Sequence, residues 1–73
     1  MIFHERIKEL RETKGISQME LAKNLNISQS AVAKWEKEKT EPTASAIIFI
    51  SRYFGVSADY LLGLENEDGT RNF

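Results

Sequence analysis

The 73-residue sequence predicts a compact all-α fold of five short helices. Three observations carry that prediction. In SQMELAKNLNISQSAVAKWEK, from Ser17 to Lys37, apolar residues recur three and four apart in two successive segments, the spacing that puts side chains on one side of a helix. Residues suited to capping a helix N-terminus, Ser17, Ser28, Thr43 and Ser57, stand before the later helical segments. Helix-ending residues follow the segments: Gly15, the segment leading to Pro42, Gly55 and Gly63.

Each element can be justified in turn. The first helix runs from about Ile2 to Lys14, with Phe3, Ile7 and Leu10 at helical spacing and Gly15 as its stop. Ser17 caps the second, and Glu20 three residues later completes a capping box. Leu21, Ala22 and Leu25 form the inner stripe of that helix, and Asn26 and Ile27 make the turn. Ser28 caps the third helix, whose Ala31, Val32 and Trp35 face inward. The residue before Pro42 is pushed towards extended geometry, which ends helicity there. Thr43 opens a fourth helix carrying Ile47, Ile50, Ser51 and Phe54 on one stripe, and Ser57 caps a last one over 58–62. Residues 1–64 are therefore expected as one domain and 65–73, acidic and without periodicity, as a flexible tail.

Composition narrows the function. A chain of this size buries only ~60% of the surface it exposes unfolded, and such a core rarely supplies more than about 3–5 kcal/mol. The sequence holds no cysteine, hence no disulfide framework or thiolate metal site, and it has no signal peptide or membrane-spanning run, which points to the cytoplasm. Net charge is −1, against the basic balance expected of a nucleic-acid binder. The charge is uneven, however. Residues 1–40 carry eight basic and six acidic side chains, and residues 41–73 carry two and five.

Opposite the inner stripe of the third helix lie Gln29, Ser30, Ala33, Lys34 and Lys37, a polar face with nothing inside the protein to pack against. Such a face suits the major groove of DNA, where a glutamine amide can bond adenine N6 and N7 and a serine can bond most base edges. The bland reading is an ordinary solvated helix surface.

With GISQMELA, the small Ala22 where helices cross, NISQSAV, WEK, the EP after it and FGVSADYLLG in view, the chain resembles the repressor/Cro-type (XRE) helix-turn-helix family of transcription regulators over about Phe3 to Leu62. The resemblance implies a compact repressor-like DNA-binding domain with helices two and three as the helix-turn-helix. It implies base reading by Gln29, Ser30 and Lys34, with a helix at about 28–37 in the major groove. It implies phosphate contacts from Ser17, Gln18, Lys37, Lys39 and Thr40, with solvent exposure as the alternative for Lys39 and Thr40 and pure capping for Ser17. Arg11 and Glu36 match an ion pair of related repressors and are expected to fix the angle of the third helix. Two positions depart from the pattern. Asn26 replaces the usual turn glycine, and Glu38 stands where glycine or asparagine often ends the recognition helix, so that it either extends that helix or carries strain.

Nothing in the sequence indicates an enzyme. His4 is the sole histidine, has no ligand-spaced partners and reads as a surface residue; no metal, cofactor or small-molecule ligand is implied. Two classes remain: a DNA-binding regulator acting as a homodimer on a palindromic operator, and a protein-interaction module such as an antitoxin or antirepressor. Phe49 and Tyr53 lie a turn apart off the core stripe, and with Tyr60, Leu61 and Leu64 they are the expected dimer interface. The alternative is that the last helix or Phe73 folds back over them.

Overall fold

The computed structural model describes residues 2–72 and contains five helices, α1 (Phe3–Lys14), α2 (Gln18–Leu25), α3 (Gln29–Glu36), α4 (Ala44–Phe54) and α5 (Ala58–Leu62). Among the described residues the β-type pairing is one isolated antiparallel bridge between Glu65 and Arg71, and no helix is long and apolar enough to cross a membrane. The fold is all-α, as the sequence predicts.

Four helices start as their caps require. The side-chain oxygens of Ser17, Ser28, Thr43 and Ser57 accept from the backbone N–H three residues on, at 3.0, 3.1, 3.1 and 2.9 Å. Each cap satisfies one donor that a helix start leaves without an intrahelical partner. The helix ends share a second device, in which a left-handed residue lets the next N–H reach back to a carbonyl five residues earlier. Asn26 (φ 58) does this for α2, with Ile27 N–H bonded to Ala22 O at 2.9 Å. Glu38 (φ 58) does it for α3, with Lys39 N–H on Lys34 O at 2.8 Å. Glu38 therefore terminates the helix in a conformation that costs a residue with a Cβ more than it costs glycine.

All five helices contribute to one core: Phe3 and Ile7, Leu21 and Ala22, Val32 and Trp35, Ile47 and Ile50, and Leu61. Phe3 and Trp35 meet edge to face with centroids 5.9 Å apart, which ties the start of α1 to the end of α3. Burying each large member contributes about 1.5–3 kcal/mol before conformational entropy is set against it. Leu61 is fully buried, which corrects its expected place in a dimer interface. α5 packs against α1 and α4, and Leu61 fills the space they leave instead of pointing outward.

Residues 65–72, expected as a flexible tail, form a hydrogen-bonded turn instead. Asn66 N–H donates to Thr70 O at 2.7 Å and Asn72 N–H to Leu64 O at 2.8 Å. Asp68 accepts from the hydroxyl and the N–H of Thr70, which holds its carboxyl below the usual range. Arg6, buried on α1, anchors the start of this segment. Its guanidinium donates to the carbonyls of Tyr60 and, at 2.6 Å, Glu65, and lies 4.0 Å from the centre of the Tyr60 ring. The fold-back expected of Phe73 falls outside the described residues.

Candidate nucleic-acid interface

The third helix is held from behind by two kinds of contact. Val32 and Trp35 are buried, so the roll of α3 is set by apolar packing against α1 and α2. Its C-terminal end is set by charge. Arg11 Nε donates to Glu36 Oε2 at 2.6 Å and Nη2 to Oε1 at 3.0 Å, a two-pronged pair, while Nη1 donates to Ile16 O at 2.9 Å. The same arginine thus grips α3 and the loop between α1 and α2. The Glu36 side chain is 4% exposed, and that burial pushes its pKa up. The hydrogen bonds from Arg11 and Gln18 outweigh it, with help from the Arg11 and Lys8 charges, and hold the group below the usual glutamate range. Arg11 is raised in turn, chiefly by its hydrogen bond to Glu36.

The opposite side of α3 is open. Gln29 and Ser30 in the first turn, Lys34 a turn later and Lys37 at the C-cap are all exposed, with Ala33 partly exposed among them. The four polar positions are brought together as the sequence predicts, on one rigid face.

The expected phosphate contacts are placed less uniformly. Ser17 is exposed, but its hydroxyl is engaged in capping α2. Gln18 is partly buried, and its Nε2 donates to Glu36 Oε1 at 3.1 Å. That link between the start of α2 and the Arg11–Glu36 pair is absent from the sequence-based reading. One N–H and the oxygen of the Gln18 amide are not used by it. Lys39 and Thr40 are exposed and border an open cavity of about 280 Å³ shared with Glu38, Glu41 and His4. His4, expected at the surface, is partly buried, with Nδ1 3.6 Å from Glu38 Oε1.

The remaining residues of the expected dimer interface divide between two faces. Phe49 is 53% exposed and lines, with Leu25, Ile27, Arg52 and Tyr53, an open cavity of about 510 Å³ between α2 and α4. Tyr53 is partly buried, its hydroxyl accepting from Asn24 Nδ2 at 2.9 Å and its ring packed edge to face on Phe54. Tyr60 lies on a different depression, beside Leu10 and Phe54, while Leu64 is exposed.

Arg6 is the structural residue the sequence-based reading missed. Its signal was available: Arg6 sits three residues after Phe3 and four before Leu10, on the inward stripe of α1.

Two short helices locked across a left-handed turn, the second with its polar face outward, define a helix-turn-helix domain. The chain belongs to the helix-turn-helix family, in its repressor/Cro (XRE) type; the family model matches residues 7–61. Among its relatives, the chain is 38% identical over 65 residues to the HTH-type transcriptional activator BcrR of Enterococcus faecalis, covering 89% of this chain and 32% of that protein. It is 35% identical over 63 residues to the HTH-type transcriptional regulator ImmR of Bacillus subtilis, covering 86% of this chain and 50% of that protein. The chain thus spans half or less of the length of these two relatives. In three dimensions it is similar to the c2 repressor protein of phage P22, solved in complex with a synthetic operator, with a TM-score of 0.78, 33% identity and coverage of 84% of this chain and 92% of that one.

Proposed function

We propose that this domain binds an operator in double-stranded DNA as a homodimer and represses transcription there. The observation that carries the reading is the rigid presentation of α3, clamped by Val32, Trp35 and the Arg11–Glu36 pair with Gln29, Ser30, Lys34 and Lys37 outward. The operator complex of the P22 c2 repressor supports it, since that protein shares this fold. In this reading the first turn of α3 goes deepest into the major groove, where Gln29 and Ser30 meet base edges and Lys34 reaches guanine or a phosphate. Lys37, Lys39, Thr40 and the α2 N-terminus with Ser17 and Gln18 sit against the backbone, where free amides and the helix dipole favour phosphate. Phe49 and Tyr53 form the surface through which two copies associate. A dimer over promoter DNA excludes polymerase, so repression follows from occupancy alone.

Selection of bound duplexes from a random pool, followed by a salt titration on the selected site, tests this. The expected result is an enriched palindrome whose half-site centres lie about 10 base pairs apart and whose affinity falls steeply with salt. Little DNA affinity at any salt would favour the protein-interaction reading, an antitoxin or antirepressor, which the net charge of −1 supports.

A further inference from the structure

The outward face of α3 contains one side chain with no polar atom, and its position is informative. At 100° per residue, Ala33 and Ser30 flank Lys37 on the side opposite Val32 and Trp35, close to the line along which the helix projects furthest from the core. Gln29 and Ser30 precede Ala33 by one turn and Lys37 follows it by one turn, and all three are exposed. Ala46 and Ala58, the partly buried alanines of α4 and α5, pack against the core; Ala33 does not. Its methyl group lies outside the core cluster and is partly exposed on that face. As the smallest side chain of that face it stands between two amide- or hydroxyl-bearing side chains and a lysine, so the helix backbone can come nearest there to whatever the face meets.

We propose that Ala33 is a specificity-determining residue that reads a thymine through its C5-methyl group. The proposal rests on the DNA-binding reading above and deepens it. In the major groove the thymine methyl is the apolar feature among the base edges, and a small apolar side chain is its natural counterpart. The amides, hydroxyl and ammonium groups around Ala33 address hydrogen-bonding edges, so that α3 would read one apolar position among polar ones. A serine, asparagine or lysine at 33 would place an unpaired polar group against the methyl, and a larger apolar residue would hold the helix away.

The test uses the duplex that this chain itself selects from a random pool. Each thymine of the half-site is replaced singly by deoxyuridine, which removes the methyl group and leaves the hydrogen-bonding edge intact. The expected result is one thymine per half-site where the replacement weakens binding about fourfold, the factor for one buried methyl group. In Ala33→Ser that penalty falls to none while those of neighbouring base substitutions persist, and circular dichroism shows the helices intact. Specific binding in which every deoxyuridine is neutral, or a penalty that survives in Ala33→Ser, overturns the proposal and leaves the DNA-binding reading standing. Absence of any sequence-specific binding overturns both.

Discussion

The Arg11–Glu36 pair sets the C-terminal end of α3, and its energetics can be worked from the structure. The Glu36 side chain is 4% exposed and that of Arg11 13%, so the pair is much drier than a surface ion pair, which is worth about 0–1 kcal/mol. It is less enclosed than a fully buried one, where loss of one partner costs about 3–5 kcal/mol. Arg11→Met, which keeps the aliphatic stem and strands the carboxylate beside Gln18, is therefore expected to cost about 2–4 kcal/mol. A domain of this size has only about 3–5 kcal/mol from its core, so that variant sits near the edge of folding. Glu36→Gln in the same background removes the stranded charge and keeps a hydrogen-bonding partner for Gln18. The double variant should accordingly be more stable than the sum of the single losses predicts, by about 1.5–3 kcal/mol. Urea unfolding followed by the fluorescence of Trp35, the one tryptophan and a core residue, measures all four chains. Losses that add within about 0.5 kcal/mol would refute the reasoning, because they would mean that solvent already screens the two charges from one another.

Further outcomes follow from the same geometry. Because the folded Glu36 pKa lies below its unfolded value near 4.5, the stability it contributes is complete above about pH 4.5 and is lost as pH falls through the folded value; Glu36→Gln should flatten that acid limb in urea midpoints measured against pH. Gln29→Ala should cost about 1–3 kcal/mol at the selected site and relax preference at one base position per half-site, whereas Lys39→Ala should weaken all duplexes alike and lower the salt slope by about one unit per subunit, both read by titration of labelled DNA. Phe49→Lys should give a folded monomer with much weaker operator binding; a chain still dimeric in sedimentation at micromolar concentration would place the interface elsewhere. Glu38→Gly should raise the urea midpoint without altering the slope, because it relieves a left-handed residue bearing a Cβ; an unchanged or lower midpoint would show that the contacts of the Glu38 carboxylate matter more than the backbone conformation.

What was legible in the sequence was what depends on local chemistry. Each of the four caps is a short polar side chain acting three residues away, and the left-handed turn at Asn26 uses a residue tolerant of that conformation, so a window of a few residues held the answer. The polar face of α3 was legible for a related reason, since periodicity alone separates Gln29, Ser30 and Lys34 from Val32 and Trp35. Leu61 was not, because a five-residue helix completes barely more than one turn and its inward side is decided by where α1 and α4 leave space. Gln18 shows the same limit at a position proposed to contact DNA. Its place at the start of α2 suggested a phosphate contact, while the 3.1 Å bond to Glu36 depends on a residue 18 positions away.

The turn over 65–72 shows how one long-range contact changes the meaning of a segment. By composition LENEDGTRNF lacks the apolar residues to fold on its own account. Its order comes from Arg6, whose charge would be costly to bury without acceptors and which finds them in the carbonyls of Tyr60 and Glu65 and the face of the Tyr60 ring. The Tyr60 carbonyl of α5 and the first carbonyl of the tail thus satisfy a buried cation on α1, while the Arg71–Asp59 ion pair closes the turn from outside. The acidic segment is thereby held near the α1–α5 end of the domain. Its anchors, Arg6 and α5, differ from the elements that present α3, namely the Arg11–Glu36 pair and the α2–α3 turn. The mildly basic first forty residues carry every side chain proposed to face DNA, so a net charge of −1 is compatible with a phosphate-facing surface.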